Sequence, residues 1–166
     1  ANREAVRRRS LRQDWIVRAE GFVFAHIADE GIIESDAGEL LRYRKQIGAD
    51  SVAIFTDIKK KHSSHQLTMD VDIVETAHAA EYFLSDGLIV TGKSTGLEAD
   101  LEEIQRVKEA VKIPVLVGSG ITIDNVNEYL KVADGLIVGS WFKEEGNWKK
   151  PVSGERVRRF MEKVRE

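Results

Sequence analysis

KIPVLVGSGITIDNVNEYLKVADGLIVGSWF, Lys112 to Phe142, is the stretch whose reading decides the fold. It holds two short apolar runs rich in β-branched residues, Val115–Val117 and Leu136–Val138, with a helical stretch between them. Apolar runs of this length bounded by glycine and proline read as strands buried on both faces, the pattern of a parallel sheet. Pro114 stands at the first residue of its strand, where a missing N–H is tolerated. Each run ends in a glycine–serine turn, Gly118-Ser119-Gly120 after the first and Gly139-Ser140 after the second. Two such turns at the carboxyl ends of consecutive parallel strands can gather backbone N–H groups around an anion, an approach that side chains would block. Gly118, Ser119, Gly120, Gly139 and Ser140 are therefore candidate phosphate-binding residues. The plainer alternative is that the glycines only serve the turns.

Working outward, the same unit recurs. DGLIV occurs at Asp86–Val90 and again at Asp134–Val138, each time running into a glycine turn. SVAIFT (Ser51–Thr56) and FVFAHI (Phe22–Ile27) read as further strands. Helices are predicted over Asn2–Arg18, Ala37–Ile47, Asp70–Ser85, Leu97–Val111, Asp124–Val132 and Gly154–Val164, with Asp124 as the cap of the fifth. Five strands alternating with helices make an α/β fold with right-handed crossovers, in a single domain over residues 1–166. Residues 1–20 are its N-terminal helix and 21–166 its βα units. Two arrangements fit: a partial (β/α)8 barrel of about five βα units, or an open doubly wound parallel sheet. In (β/α)8 barrels the turns after the last two strands bind phosphate, often with a short extra helix. Trp141–Glu145 is the segment expected to form that helix.

Composition narrows the function. The apolar share of 42% and charged share of 32% over 166 residues suit one globular domain with a substantial core. A net charge of −3 gives no reason to expect nucleic acid, and the arginines of ANREAVRRRSLRQ read as a solvated helix face. The absence of cysteine excludes disulfides and cysteine-ligated metals. His62, His65 and His78 lack zinc spacing, and Asp29 and Glu30 carry no divalent-cation signature, so no metal or other cofactor is expected. No apolar run is long enough to span a membrane and no signal peptide is visible, so a cytoplasmic location is expected.

Chemistry in a barrel sits where strands end at the carboxyl face. Asp57 directly follows SVAIFT, which makes it the leading candidate for a general base. Lys59, two residues on, is a candidate for anion binding or a Schiff base, and Lys93, after Thr91-Gly92, for reaching a phosphate. A solvated polar loop at Lys59-Lys60-Lys61 and an exposed loop lysine at Lys93 are the alternatives. His26 alternates onto the face of Phe22 and Phe24 and reads as a core or interface histidine.

Several segments also resemble a known family. They are ADEGIIESDAGELLRYRKQIGA (Ala28–Ala49), TDIKKKHSS (Thr56–Ser64), LIVTGKSTG (Leu88–Gly96), PVLVGSGIT (Pro114–Thr122), DGLIVGSWFKEEG (Asp134–Gly146) and PVSGERVRRFM (Pro151–Met161). In this order they resemble the BtpA/SgcQ family of TIM-barrel proteins. The resemblance implies a barrel with a phosphate-type pocket, and it aligns the chain with roughly the fourth to eighth strands of a complete barrel. It implies no single reaction: one branch is associated with photosystem I biogenesis or stability, another lies among genes for sugar uptake and metabolism. One expectation is therefore a protein that binds a small phosphorylated metabolite, a sugar phosphate or nucleotide, with acid/base work by Asp57 and Lys59 or Lys93. The other is a non-catalytic assembly or stability factor that keeps the scaffold. A sheet with three strands outside the match has two open edges and an uncovered apolar interior. A homodimer or larger even oligomer is expected to cover them, together with the N-terminal helix carrying Trp15 and Ile16.

Overall fold

The computed structural model describes residues 2–12, 15–92 and 98–165. The chain runs through α1 (Asn2–Arg12), β1 (Ile16–Ala19), β2 (His26–Ala28), β3 (Gly31–Ile33), α2 (Ala37–Gln46), β4 (Ala53–Asp57) and β5 (Ser63–Ser64). It continues through α3 (Ile73–Tyr82), β6 (Gly87–Thr91), α4 (Leu101–Ala110), β7 (Val115–Gly118), α5 (Val126–Val132), β8 (Gly135–Ile137) and α6 (Gly154–Arg165). Five strands pair in parallel in the order β1-β4-β6-β7-β8. This order never doubles back. A doubly wound sheet reverses at a switch point, so the open-sheet alternative is set aside. The sheet is a curled half-barrel with its helices along one face.

The pleat sorts the strand residues into two sets. Val17, Ile54, Leu88, Val90, Val115 and Val117 join the helices in the hydrophobic core, with Ala77, Ala80, Ile104, Val107 and Val126. Their neighbours point into the barrel in register rows. Arg18 lies beside Phe55, and Phe55 beside Gly87. Asp57, Ile89, Leu116 and Gly135 form the next row, and Thr91, Gly118 and Ile137 the last, at the carboxyl end. The interior is less open than the sequence suggested. Phe55 and Ile89 are only 8% and 1% exposed, and a glycine stands beside Phe55 and beside Leu116 in the rows. A Cβ on Gly87 would stand 1.7 Å from the Phe55 ring, and one on Gly135 would stand 2.8 Å from Leu116.

The DGLIV echo has the same physical basis at both positions. The carboxylate of Asp86 accepts from the Ile54 N–H at 2.8 Å and from Arg44 Nη1 of α2 at 2.6 Å. That of Asp134 accepts from the Val115 N–H at 2.7 Å and from Lys108 Nζ of α4 at 2.5 Å. Each aspartate thus ties its strand to the neighbouring parallel strand and to the helix that leads into that neighbour. Each following glycine makes room for the preceding strand's interior side chain. Burial works against the charge of Asp134, but Lys108 and the Val115 N–H outweigh it and hold the carboxyl below its ordinary value.

Several expected boundaries move. The N-terminal helix ends at Arg12, and the edge strand of the sheet is Ile16–Ala19 in place of Phe22–Ile27. Gly21 (φ 63°) and Phe24 (φ 57°) turn the chain out of extended geometry within that predicted strand. Its end, His26–Ala28, pairs with β3 and β5 in a small antiparallel sheet of order β3-β2-β5. Trp15 and Ile16 are 79% and 45% exposed, so they do not cover the interior as expected. The position before α5 is Asn125, not Asp124. Trp141–Glu145 is not a helix but two 3-10 turns, Ser140–Phe142 and Glu144–Gly146, with Glu145 at φ 54°. Each of these short segments lacks the long periodic apolar face that would have marked it.

Candidate functional site

The carboxyl ends of β7 and β8 open into a cavity of about 370 Å³. Ser119, Gly120, Ile121 and Thr122 from the first glycine turn line it, and Ile137, Gly139, Ser140 and Trp141 from the second. Arg18, Lys61, Glu98 and Gly146 complete the wall. Among the predicted phosphate-binding residues, Ser119, Gly120, Gly139 and Ser140 therefore meet in one cavity. Gly118 lies just beneath, in the row with Thr91 and Ile137. Ser119 has φ 80° and Gly120 φ 69°. The first value is uncommon for a residue with a Cβ and marks backbone strain of the kind that clusters at functional sites. Asn125 braces the turn. Its Oδ1 accepts from the Thr122 N–H at 2.8 Å, and its Nδ2 donates to Gly120 O at 3.0 Å and to Glu98 Oε1 at 2.8 Å. Trp141 is held as a wall by Arg156, whose guanidinium lies 3.8 Å from the ring centroid and whose Nε donates to Trp141 O at 2.6 Å.

Two cations face this cavity, and neither was singled out from the sequence. Lys61 Nζ donates to Ser119 Oγ at 2.8 Å, while its backbone N–H reaches Thr91 Oγ1 at 3.3 Å. Arg18, from β1, holds Asp57 through two parallel bonds of 2.7 Å, Nε to Oδ2 and Nη2 to Oδ1. The Asp57 side chain is wholly buried and that of Arg18 is 37% exposed. Burial pushes the Asp57 carboxyl above its ordinary value, against the two bonds and the charge of Arg18. The same bonds raise the Arg18 guanidinium further, so it stays charged. Asp57 therefore stands at the predicted strand end, but both its oxygens are taken by Arg18. It reaches the cavity through that guanidinium and not directly.

Lys59 turns elsewhere. Its Nζ donates to Thr68 O at 2.9 Å and to Thr68 Oγ1 at 3.2 Å. It lines a second, nearly filled cavity with His26, Asp57, Lys60, His65 and Thr76. Lys60 Nζ donates to Glu20 Oε2 at 2.7 Å. Alternation predicts Lys59 and Lys61 on one side, but Lys59 sits at φ 47° and the chain rotates there. His26 is buried, its ring 5.3 Å from that of His65, and its Nε2 has no hydrogen-bond partner among the described residues. Burial holds its pKa below the ordinary value. Lys93 lies outside the described residues. Arg18 was hidden as the last residue of the predicted N-terminal helix, and Glu98 is an ordinary helix-flanking acid; the isolated Ile-Val-Arg-Ala alternation was the sign of the former.

The sequence profile of the BtpA family matches residues 8–166. A mitochondrial protein of Caenorhabditis elegans is 50% identical over 164 residues, covering 99% of this chain and 59% of its own length. The Photosystem I biogenesis protein BtpA of Synechocystis is 37% identical over 139 residues, 83% of this chain and 48% of its own. The chain thus spans about half to three fifths of the length of these relatives. In fold it is similar to mandelate oxidase, with a TM-score of 0.60 at 11% identity, covering 98% of this chain and 50% of that one. No helix among the described residues is long and apolar enough to cross a membrane.

Proposed function

The chain belongs to the BtpA family, and from that premise we propose that it binds a small phosphorylated metabolite at the carboxyl end of the half-barrel. The observation that carries this reading is the convergence of both glycine–serine turns on one cavity faced by Lys61 and Arg18. The turns offer close backbone approach to a phosphate, and the two cations supply charge for it. Asp57 acts as a positioning residue: it fixes the plane of the Arg18 guanidinium and leaves Nη1 for the ligand. Glu98, held by Asn125, gives the cavity a carboxylate that accepts from hydroxyl groups of the ligand. That combination favours a sugar phosphate over a second anionic group. A second reading, a non-catalytic assembly factor on the same scaffold, draws its support from the name of the Synechocystis relative.

Partner strands are part of the proposal. The outer edges of β1 and β8 are unpaired among the described residues. In the 166-residue chain a second copy covers them. A thermal-shift panel of inorganic phosphate, sugar monophosphates and nucleotides tests the ligand. A ligand at 100 times its dissociation constant adds about 2.7 kcal/mol of stability. Stabilisation by phosphate and sugar monophosphates supports the reading; no shift with any phosphate compound at millimolar concentration overturns it.

A further inference from the structure

We propose that the ε-amine of Lys61 is a nucleophile that forms an imine with the carbonyl group of a phosphorylated aldehyde or ketone held in the 370 Å³ cavity; this rests on the phosphate reading above. The three consecutive lysines have separate fates. Lys59 is engaged by Thr68 and Lys60 by Glu20, with Glu30 at 3.6 Å. Lys61 alone of the three lines the large cavity, and among the described residues it makes no ion pair. Its amine is bonded to a neutral hydroxyl, Ser119 Oγ, on a residue whose backbone is held at φ 80°.

The charged groups that act on this amine come from two strands. Arg18 of β1 repels a second positive charge, while Asp57 of β4 and Glu20, just past β1, favour one. Both oxygens of Asp57 already serve Arg18. Burial first, and Arg18 second, hold the Lys61 amine below the ordinary lysine value. A lysine desolvated beside another cation is one of the known ways to obtain a neutral, nucleophilic amine near physiological pH.

The step balances without an oxidant or reductant. The lone pair of neutral Nζ forms a bond to the carbonyl carbon, the C=O π electrons move to oxygen, and one proton passes from nitrogen to that oxygen to give the neutral carbinolamine. The hydroxyl then takes up a proton and leaves as water with the C–O electron pair while the nitrogen lone pair forms the C=N bond, and the second N–H proton is released to replace the one consumed. Protonated, the imine carries the positive charge the ammonium had, so attraction for the phosphate is retained. Glu98 is the carboxylate on the same cavity wall that can carry protons between these steps.

The probe is pyridoxal 5′-phosphate, a phosphorylated aldehyde. It is mixed with the protein, the imine is reduced with borohydride, and the labelled lysines are identified by peptide mass spectrometry. Lys61 is expected to label several-fold faster than the other lysines, and inorganic phosphate is expected to slow it. Lys61→Arg removes that site of labelling, whereas Lys59→Arg leaves it. Even labelling of all lysines, with phosphate binding intact by calorimetry, overturns the nucleophile. Fast labelling of Lys61 that phosphate does not slow supports the nucleophile and overturns the phosphate site instead.

Discussion

Gly87→Ala probes the packing that shapes the barrel interior. Gly87 is not in the left-handed region, so alanine is permitted by the backbone; in a strand the change alone gains about 0.5–1 kcal/mol. The new Cβ, however, would stand 1.7 Å from Phe55 Cε1 and 2.0 Å from Cδ1. Phe55 is buried and must move, an overpacking cost of about 1–3 kcal/mol. The net expectation for Gly87→Ala in the parent is a loss of about 1–2 kcal/mol. Phe55→Ala removes the ring and costs about 3 kcal/mol by itself. In that background the methyl of Gly87→Ala meets empty space, and the same substitution should gain about 0.5–1 kcal/mol. The double-mutant cycle should therefore show a coupling of about 1.5–3 kcal/mol, toward the upper end for residues in contact. Urea midpoints at unchanged slope give the four stabilities. Equal costs in the two backgrounds would refute the claim that Phe55 is the reason for a glycine here.

Three further outcomes follow from the site. Burial lifts the Asp57 carboxyl above its ordinary 3.8, so the folded chain binds this proton more tightly than the unfolded one. Its contribution to stability is then greatest below the ordinary value and is lost as pH rises through the raised one. The stability difference between the parent and Asp57→Asn should trace that fall in a pH series of urea melts, and a flat difference would contradict it. Lys59→Met removes the tie to Thr68 and should cost about 1 kcal/mol while leaving phosphate affinity alone. A tenfold affinity loss, about 1.4 kcal/mol, would return Lys59 to the site. Light scattering after size-exclusion chromatography should find the 166-residue chain as a dimer or larger even oligomer; a stable monomer at micromolar concentration would show that the strand edges need no cover.

Much of the fold was legible because parallel strands buried on both faces leave a strong local signal. VLV and the two DGLIV segments carry it, and the Asp-Gly pairs at 86–87 and 134–135 repeat because each strand start does the same job. β1 was not legible: four residues, one of them an arginine, follow an arginine-rich helix, and the predicted helix was carried through to Arg18. Phe22–Ile27 has strand composition, but its backbone is set by the turns at Gly21 and Phe24, which composition does not encode. In the candidate site, the two glycine turns could be located because each directly follows an apolar run that marks a strand end. The Arg18–Asp57 pair spans 39 residues and depends on register, so only the assembled sheet reveals that Asp57 is occupied. Likewise, the choice of Lys61 over Lys59 turns on one left-handed residue within the lysine run.

Calorimetry with inorganic phosphate on the parent and on Gly120→Asp asks whether the two glycine turns hold a phosphate. Gly120 lines the cavity at φ 69°, so the substitution places a carboxylate where the anion should sit and adds backbone strain of about 1 kcal/mol. Circular dichroism confirms that the variant is folded before its binding is measured. If the turns hold the anion, the parent binds phosphate and the folded variant does not. Equal phosphate affinity in the two proteins, or no binding by the parent, would contradict that.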